Sequence, residues 1–327
     1  MFMGAGKMIL ELKNNKIRFS LEFYGKFNIL TGKSGSHKTH LINSIKRAKK
    51  KVSSVKCRCL NDDEKDVSLE KILFFDNETL IAGDYHDIFN QYQGGLIIID
   101  ECSDLLKQAD IASVLKSTNN QVLLISRTII GWLPISVDSI YCLEMQDYII
   151  TNRSIYCEHN SDLIKKGYFS YVLTEDSGSG RDFFLAQFPD KEVCSKHVTI
   201  NGINMTRDNS HLHNSLEKAI KEGKKDILVV FDAAAYGSYF KLLLDVIKHS
   251  DVQVILLSWE SFENYLLSSP YFGIVLTKKD VSWRFNSLEQ LSTIKLKEVN
   301  NGYSKTKLDP KFKHPEFLYG YLADMNS

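Results

Sequence analysis

Cysteine, proline and long apolar runs are scarce in this sequence of 327 residues. Five prolines and 18 glycines leave no room for long linkers rich in these residues. The six cysteines are scattered, and only Cys57 and Cys59 lie close together, with no second pair to complete a zinc site. We therefore expect reduced structural thiols. Aliphatic runs such as Leu96–Ile99 and Ile227–Phe231 are too short to span a bilayer.

An excess of charge of either sign is also missing, since the formal net charge is +1. Bulk electrostatics therefore does not require a nucleic-acid partner. The first residues, MFMGAGKMILELK, lack the apolar stretch of a signal peptide, and we expect a cytoplasmic protein. With 43% hydrophobic and 25% charged residues, the chain has the composition of a globular protein. Its length suits two domains of about 150 residues each.

One short segment, TGKSGSHKT at positions 31–39, carries most of a phosphate-binding motif. In the pattern G-x-x-x-x-G-K-[ST], backbone amides of the loop surround phosphates, the lysine reaches the β- and γ-phosphates, and the last hydroxyl holds Mg²⁺. The candidate nucleotide-binding residues are Gly32, Lys33, Ser34, Gly35, Ser36, His37, Lys38 and Thr39. His37 replaces the glycine that normally precedes the lysine.

The flanking segments predict the strand–loop–helix context that such a loop requires. Phe27–Leu30 is a short apolar run that predicts a strand. After Thr39, the residues Leu41, Ile42 and Ile45 recur at helical spacing. The loop amides and the helix N-terminus would then point at a bound phosphate.

Two further apolar runs end in residues suited to nucleotide chemistry. The run before Asp100 and Glu101 suits a strand buried on both faces of a parallel sheet. Asp100 would hold Mg²⁺ together with Thr39, and Glu101 would orient a water for attack on the γ-phosphate. A third strand, predicted over Gln121–Ile129, contains Ser126 and Arg127, and Arg127 is a second candidate catalytic residue.

These motifs, in this order, resemble a P-loop ATPase of the ABC, SMC and OLD type over residues 7–150. The resemblance implies an α/β fold with a parallel sheet, a β-rich start, and binding of ATP with Mg²⁺. Only 61 positions separate Thr39 from Asp100, too few for the helical subdomain of that family. Because a residue with a Cβ can adopt helical φ and ψ, we expect His37 to start the helix without strain. Nucleotide binding with slow hydrolysis is the expectation.

The second half predicts another alternation of strands and helices, beginning near Tyr168. Acidic residues follow two of its predicted strands, namely Glu175 with Asp176, and Asp232. In parallel sheets, ligands commonly bind at the carboxyl ends of the strands, so these carboxylates form a candidate metal site.

This pattern resembles a Toprim domain over roughly residues 165–270. The resemblance implies Mg²⁺ binding, with Glu175 as the family's glutamate and Asp232 as the first aspartate of its Asp-x-Asp. Ala234 replaces the second aspartate. Two-metal cleavage of a phosphodiester needs more carboxylates than these, so a degenerate binding domain, an active nuclease and a different α/β domain all stay open.

Two polar segments favour plain structural roles over chemistry. The basic run KRAKKK at Lys46–Lys51 is typical of a solvated helix end, with a phosphate or nucleic-acid contact as the alternative. The histidines of Asp208–His213 are typical of a polar surface loop, with a metal site as the alternative.

The sequence predicts a P-loop domain over residues 1–155, a Toprim-like α/β domain over 165–275, and a C-terminal extension over 276–327 that packs on the second domain. The expected function is an ATP-operated switch, with slow ATPase activity, that controls the second domain. The OLD resemblance implies a role in conflict with phages or mobile elements, and a partner that is a protein, a second copy of the chain, or nucleic acid. A nucleotide-binding scaffold and a Zot-like assembly ATPase are the alternatives.

Overall fold

The computed structural model of the chain describes most residues between positions 7 and 300. The described ranges are 7–14, 16–32, 35–52, 54–61, 66–77, 85–101, 103–127, 133, 135–155, 168–175, 181, 192–195, 212–268, 272–277, 280–281 and 287–300. The chain divides into two compact units, the first made of residues 1–157 and 277–288 and the second of residues 158–276 and 289–327.

Nine strands of the first unit form one curled, mixed sheet. They are β1 (Lys7–Lys13), β2 (Arg18–Tyr24), β3 (Phe27–Leu30), β4 (Lys56–Leu60), β5 (Ile72–Phe75), β6 (Leu96–Asp100), β7 (Gln121–Ile125), β8 (Ile140–Gln146) and β9 (Ile149–Ser154). Their order across the sheet is β4-β1-β2-β9-β8-β3-β7-β6-β5. The strands from β8 to β5 are parallel to one another, whereas β1 is antiparallel to both β2 and β4.

Burial patterns explain which strands occupy which part of this sheet. β3 and β7 are buried at every position and β6 at all but its last, as in parallel strands covered on both faces. β1 and β2 alternate between buried and partly exposed residues, as strands with one solvated face do. The predicted α/β class and the predicted strands around Phe27, Leu96 and Gln121 are confirmed, although β7 ends at Ile125.

In the described part of the first unit, the α-helices are α1 (Lys38–Lys49), α2 (Tyr85–Gln91) and α3 (Ile111–Ser117). One-turn 3-10 helices cover Leu69–Lys71, Asp104–Lys107 and Val137–Ser139. The predicted apolar face of α1 is confirmed, since Leu41, Ile42 and Ile45 are buried in the main core with side chains of β1 and β2. Each fully buried aliphatic side chain of this kind contributes about 1.5–3 kcal/mol, so this face anchors α1, and with it the loop before α1, to the sheet.

A four-stranded parallel sheet forms the centre of the second unit. Its order is β11-β10-β12-β13, with β10 (Tyr171–Thr174), β11 (Glu192–Ser195), β12 (Ile227–Asp232) and β13 (Val254–Trp259). The helices are α4 (Leu212–Lys221), α5 (Ala233–Tyr236), α6 (Phe240–Lys248), α7 (Phe262–Ser268) and α8 (Leu288–Val299), with a 3-10 turn at Gly237–Tyr239. The predicted alternation of strand and helix is confirmed for Asp226–Ile247 and Val252–Leu267.

Helix α7 is buried on every side from Phe262 to Leu267, including the polar residues Glu263 and Asn264. The Asn264 side chain donates to Ser292 Oγ and to the Leu276 carbonyl, both at 3.1 Å. These bonds satisfy a buried amide that would otherwise destabilise the unit.

Among the helices that the structure describes, none combines the length and the apolar character needed to cross a membrane.

Candidate functional site

Three strands of the first sheet end side by side beside the predicted phosphate loop. Leu30, the last residue of β3, pairs with Ile125, the last residue of β7. Ile125 in turn pairs with Asp100, the last residue of β6. Neighbouring strands lie about 4.8 Å apart, so the loop after β3 and the residues after β6 and β7 leave the sheet at one place.

The loop itself depends on Gly32, whose φ is +144°. A Cβ at this position would lie 2.8 Å from Ser36 Oγ, and 3.5 Å from the Lys38 ammonium nitrogen. Glycine is therefore required both by the backbone angle and by the close approach of the loop's own side chains. Gly35 also has a positive φ, +85°, but a Cβ there would meet nothing within 4 Å. Lys33 and Ser34 lie outside the described residues.

His37 immediately precedes α1 in the left-handed region, with φ 61° and ψ 2°. The expectation that it adopts helical angles is wrong. The loop must turn sharply into the helix, which places this residue where glycine is unstrained and where a side chain costs about 1–2 kcal/mol. The glycine of the motif is thus explained by backbone conformation, and His37 holds the same conformation under strain.

The Lys38 side chain folds back into the loop. Its ammonium group donates to the Gly32 carbonyl and to Ser36 Oγ, the latter at 2.8 Å. Partial burial lowers the Lys38 pKa, and the nearby Arg127 guanidinium lowers it further, while Glu101 and Asp100 act in the opposite direction. Lys38 is therefore close to all three residues that sequence reasoning assigned to the same site.

Glu101 and Arg127 are in direct contact. The backbone N–H of Arg127 donates to Glu101 Oε2 at 2.5 Å, and Arg127 Nε lies 3.3 Å from Glu101 Oε1. Ser126, which is buried, places its hydroxyl 3.4 Å from the same Oε2. The two predicted catalytic residues are thus brought together, with the carboxylate turned towards the end of β7.

Thr39 is the second residue of α1 and is exposed. A helix N-terminus next to an ammonium group favours anions, because unpaired backbone N–H groups and the helix dipole add to the positive charge. The carboxylates of Asp100 and Glu101 lie close enough to influence Lys38. This arrangement has the donors for a phosphate chain and carboxylate oxygens for a hydrated cation.

Part of the basic run at Lys46–Lys51 has structural partners. Lys46 forms an ion pair with Asp76, and Lys49 donates to the Ile72 carbonyl. Helix α1 ends at Lys49, and Lys50 and Lys51 are exposed. The predicted helix end is confirmed.

In the second unit, the predicted acidic residues meet at the carboxyl ends of β10 and β12. Glu175, which is buried, accepts a hydrogen bond from the Asp232 backbone N–H at 3.5 Å. The Trp259 indole N–H donates to Asp232 Oδ1 at 2.7 Å. Asp176 lies outside the described residues, as does most of Asp208–His213.

Sequence reasoning missed Trp259 and Tyr236. Trp259 ends β13 directly opposite Asp232, a register that the structure provides and the sequence alone does not. Tyr236 is fully buried, and its hydroxyl oxygen accepts a hydrogen bond from the His213 backbone N–H at 2.9 Å. Burial raises the pKa of Tyr236, and the charge of Glu175 raises it further. Tyr236 therefore stays neutral beside the acidic pair.

Within the described parts of the chain, no three His, Cys, Asp or Glu side chains form a group that could hold a metal ion. The chain matches no protein-family model, and no curated protein matches it significantly.

Proposed function

We propose that the first unit binds Mg-ATP and hydrolyses it slowly, and that the bound nucleotide controls the activity of the second unit. The observation that carries this proposal is the row Leu30–Ile125–Asp100 at the ends of three parallel strands. It supports a site in which the Gly32–Lys38 loop, the carboxylates of Asp100 and Glu101, and Arg127 all contact one ligand. A phosphate chain is the ligand that such a loop favours.

In this proposal, each residue has a distinct role. Lys38 leaves the Gly32 carbonyl and Ser36 to contact the β- and γ-phosphates, and the loop amides contact the remaining phosphate oxygens. Thr39 and Asp100 hold Mg²⁺, directly or through water. Glu101 orients the attacking water, and Arg127 stabilises the charge that develops on the transferred phosphoryl group.

For the second unit we propose a Toprim-like effector whose acidic residues are Glu175, Asp176 and Asp232. The support is the meeting of Glu175 and Asp232 at neighbouring strand ends. A single Mg²⁺ and a nucleic-acid substrate fit this arrangement, and a role against phages or mobile elements goes with it. Nuclease activity is the weaker part of the proposal, because Trp259 already occupies one oxygen of Asp232.

Calorimetric titration with Mg-ATP tests the first part. The full-length chain should bind Mg-ATP, and Lys38→Ala should weaken binding at least tenfold, since it removes a charge-assisted contact worth about 1.5–3 kcal/mol. Lys50→Ala removes an exposed lysine at the end of the same helix and is the matched control. Equal affinity in wild type and Lys38→Ala would rule out the phosphate-loop assignment.

A nucleotide-binding scaffold without turnover is the second candidate. The Glu101–Arg127 contact favours it, because a carboxylate that is held by the end of β7 is not free to orient water. Phosphate release on the same samples separates the two functions. Binding with no release above that of Glu101→Gln would favour the scaffold.

A further inference from the structure

His40 lies in the first turn of α1, two residues after Lys38, and has no role in the function proposed above. It is exposed, whereas Leu41, Ile42 and Ile45 of the same helix are buried. Residues two apart in an α-helix project about 200° apart around its axis. Lys38 and His40 therefore leave the helix on nearly opposite sides, next to the same loop.

The His40 ring is held by residues of the first two strands and their connection. Its Nε2 lies 3.0 Å from Nδ2 of Asn14, in the turn between β1 and β2. It also contacts the ring of Phe19 on β2, with the centroids 5.7 Å apart and an angle of 48° between the planes. Phe19 is fully buried and gives a firm support. The imidazole thus has a fixed position, although His40 as a whole is exposed.

The hydrogen bonds of Asn14 determine the protonation of this ring. Asn14 Oδ1 accepts hydrogen bonds from the backbone N–H groups of Lys16 and Ile17, at 2.9 and 2.8 Å. The amide is therefore oriented with Nδ2 towards the imidazole, and Nδ2 can only donate. The network assigns Nε2 of His40 as the acceptor, which leaves a neutral imidazole with its proton on Nδ1. A neutral ring can be covered by a ligand at a lower desolvation cost than a charged one.

The order of the strands gives a ligand in the loop a direction. The strands β7 and β6 lie on one side of β3, whereas β2 and β1 lie on the other. In the proposed function, the γ-phosphate lies beside Glu101 and Arg127, which follow β6 and β7. A triphosphate is a linear chain, so its other end, which carries the nucleoside, extends towards β2 and His40.

We propose that the base of the bound nucleotide stacks on His40, and that Asn14 is a positioning residue that holds the imidazole for this contact. The inference rests on the proposed nucleotide site, and it adds a residue that recognises the nucleoside rather than the phosphates. Stacking on an aromatic side chain requires only a planar base. The site therefore favours a nucleotide over a triphosphate that carries no base.

Two ligands that differ only in the base test this contact, namely ATP and ribose 5-triphosphate. Titrated with Mg²⁺ into the full-length chain, ATP should bind at least tenfold more tightly than ribose 5-triphosphate. His40→Ala should weaken Mg-ATP binding about tenfold and leave ribose 5-triphosphate binding within about twofold of wild type. His40→Phe keeps a planar ring and should retain most of the affinity for Mg-ATP.

Further variants separate stacking from a structural role. His249→Ala removes an exposed imidazole from the second unit and should change neither affinity. Asn14→Ala should weaken Mg-ATP binding more than ribose 5-triphosphate binding, whereas a residue that only closes the turn would affect both ligands equally. Asn14→Ala with His40→Ala should lose no more Mg-ATP affinity relative to ribose 5-triphosphate than His40→Ala alone, because both changes remove the same contact.

Two results would overturn this inference and leave the phosphate loop in place. One is equal affinity of the wild type for the two ligands, and the other is an equal loss of both ligands in His40→Ala. The second result would mean that His40 only anchors α1 to the turn between β1 and β2. Binding of neither ligand by the wild type would refute the nucleotide site itself, and this inference with it.

Discussion

The carboxylate of Glu101 accepts a hydrogen bond from the backbone N–H of Arg127 at 2.5 Å and faces the guanidinium of the same residue at 3.3 Å. The acidic residue that follows β6 is thereby tied to the first exposed residue after β7. Turnover in the proposed site requires Glu101 to turn away from this contact towards a water on the phosphate side. The contact itself is thus a candidate brake on hydrolysis.

Glu101→Gln should leave Mg-ATP affinity within about threefold of wild type and slow phosphate release by about 10²-fold or more, because an amide cannot act as a base. Arg127→Ala should slow release as well, because it removes the guanidinium proposed to stabilise the phosphoryl group while the backbone N–H that holds Glu101 stays in place. Calorimetry and a phosphate-release assay measure the two quantities. Unchanged release in Glu101→Gln would remove Glu101 from the catalytic residues.

The two loop glycines provide a matched pair. Gly32→Ala should abolish Mg-ATP binding, because its Cβ would meet Ser36 Oγ at 2.8 Å inside the loop. Gly35→Ala also introduces a Cβ at a positive φ, but at +85° rather than +144°, and it meets no neighbour within 4 Å, so binding should persist. Equal losses in the two variants would mean that strain, rather than the close approach, disrupts the loop.

His37→Gly should increase the free energy of unfolding relative to His37→Ala by about 1 kcal/mol, because the left-handed conformation strains alanine and not glycine. Both variants remove the imidazole, so the comparison isolates the backbone. Urea denaturation gives the difference. Equal stabilities would mean that the backbone at position 37 leaves the left-handed region when the imidazole is removed.

Lys26 should make stability depend on pH above neutrality. It is 4% exposed, and burial lowers its pKa from 10.5 to about 8. The folded state therefore binds fewer protons than the unfolded state between these values, so stability rises as pH increases from about 8 to 10.5. The gain is on the order of 3 kcal/mol.

Urea denaturation at pH 7.5 and 9.5 tests this, with Lys26→Met as the variant that lacks the gain. Comparing the two proteins cancels the titration of other groups, including Cys57 and Cys59, whose pKa values burial raises to about 12. Lys50→Met, at an exposed position, should behave as wild type. Parallel pH dependence in wild type and Lys26→Met would contradict the buried-lysine origin.

Trp259→Phe should destabilise the second unit by about 1.5–3 kcal/mol, since it removes a hydrogen bond to a charged oxygen of Asp232. Asp232→Asn keeps an acceptor for the indole and should cost less, whereas Asp232→Ala should cost at least as much as Trp259→Phe. Chemical denaturation gives the free energy of unfolding of each of the three variants and so ranks their losses of stability. If Asp232→Asn is the most damaging, the charge at this position has a structural role that the indole does not explain.

Sequence patterns were sufficient for some of the local elements and for the expectation that Lys38, Asp100, Glu101 and Arg127 lie close together. Continuous apolar runs predicted β3, β6 and β7, and helical spacing predicted the buried face of α1. The positive φ of His37 could not be predicted from such patterns, because it depends on the path of the whole loop. The contacts of Glu101 with Arg127 and of Asp232 with Trp259 join residues that lie 26 and 27 positions apart, and they arise from strand order and register.

The position of the β8–β9 hairpin within the sheet was not predicted either. It inserts between β2 and β3 in the sheet, and it is closed by Asp147 and Tyr148, both with positive φ. The tight turn is local, but the partners of its two strands are more than 100 positions away in sequence. Pairing over such distances is set by the complete core rather than by any one segment.

The return of residues 277–288 to the first unit makes that unit discontinuous along the chain. The returning segment includes Val281, which is 1% exposed. A gene fragment that stops at residue 157 would therefore encode the Gly32–Lys38 loop without all of the unit to which the loop belongs. Removing the second unit cleanly would require joining position 157 to position 277 through a new linker, as when an inserted domain is excised from its host.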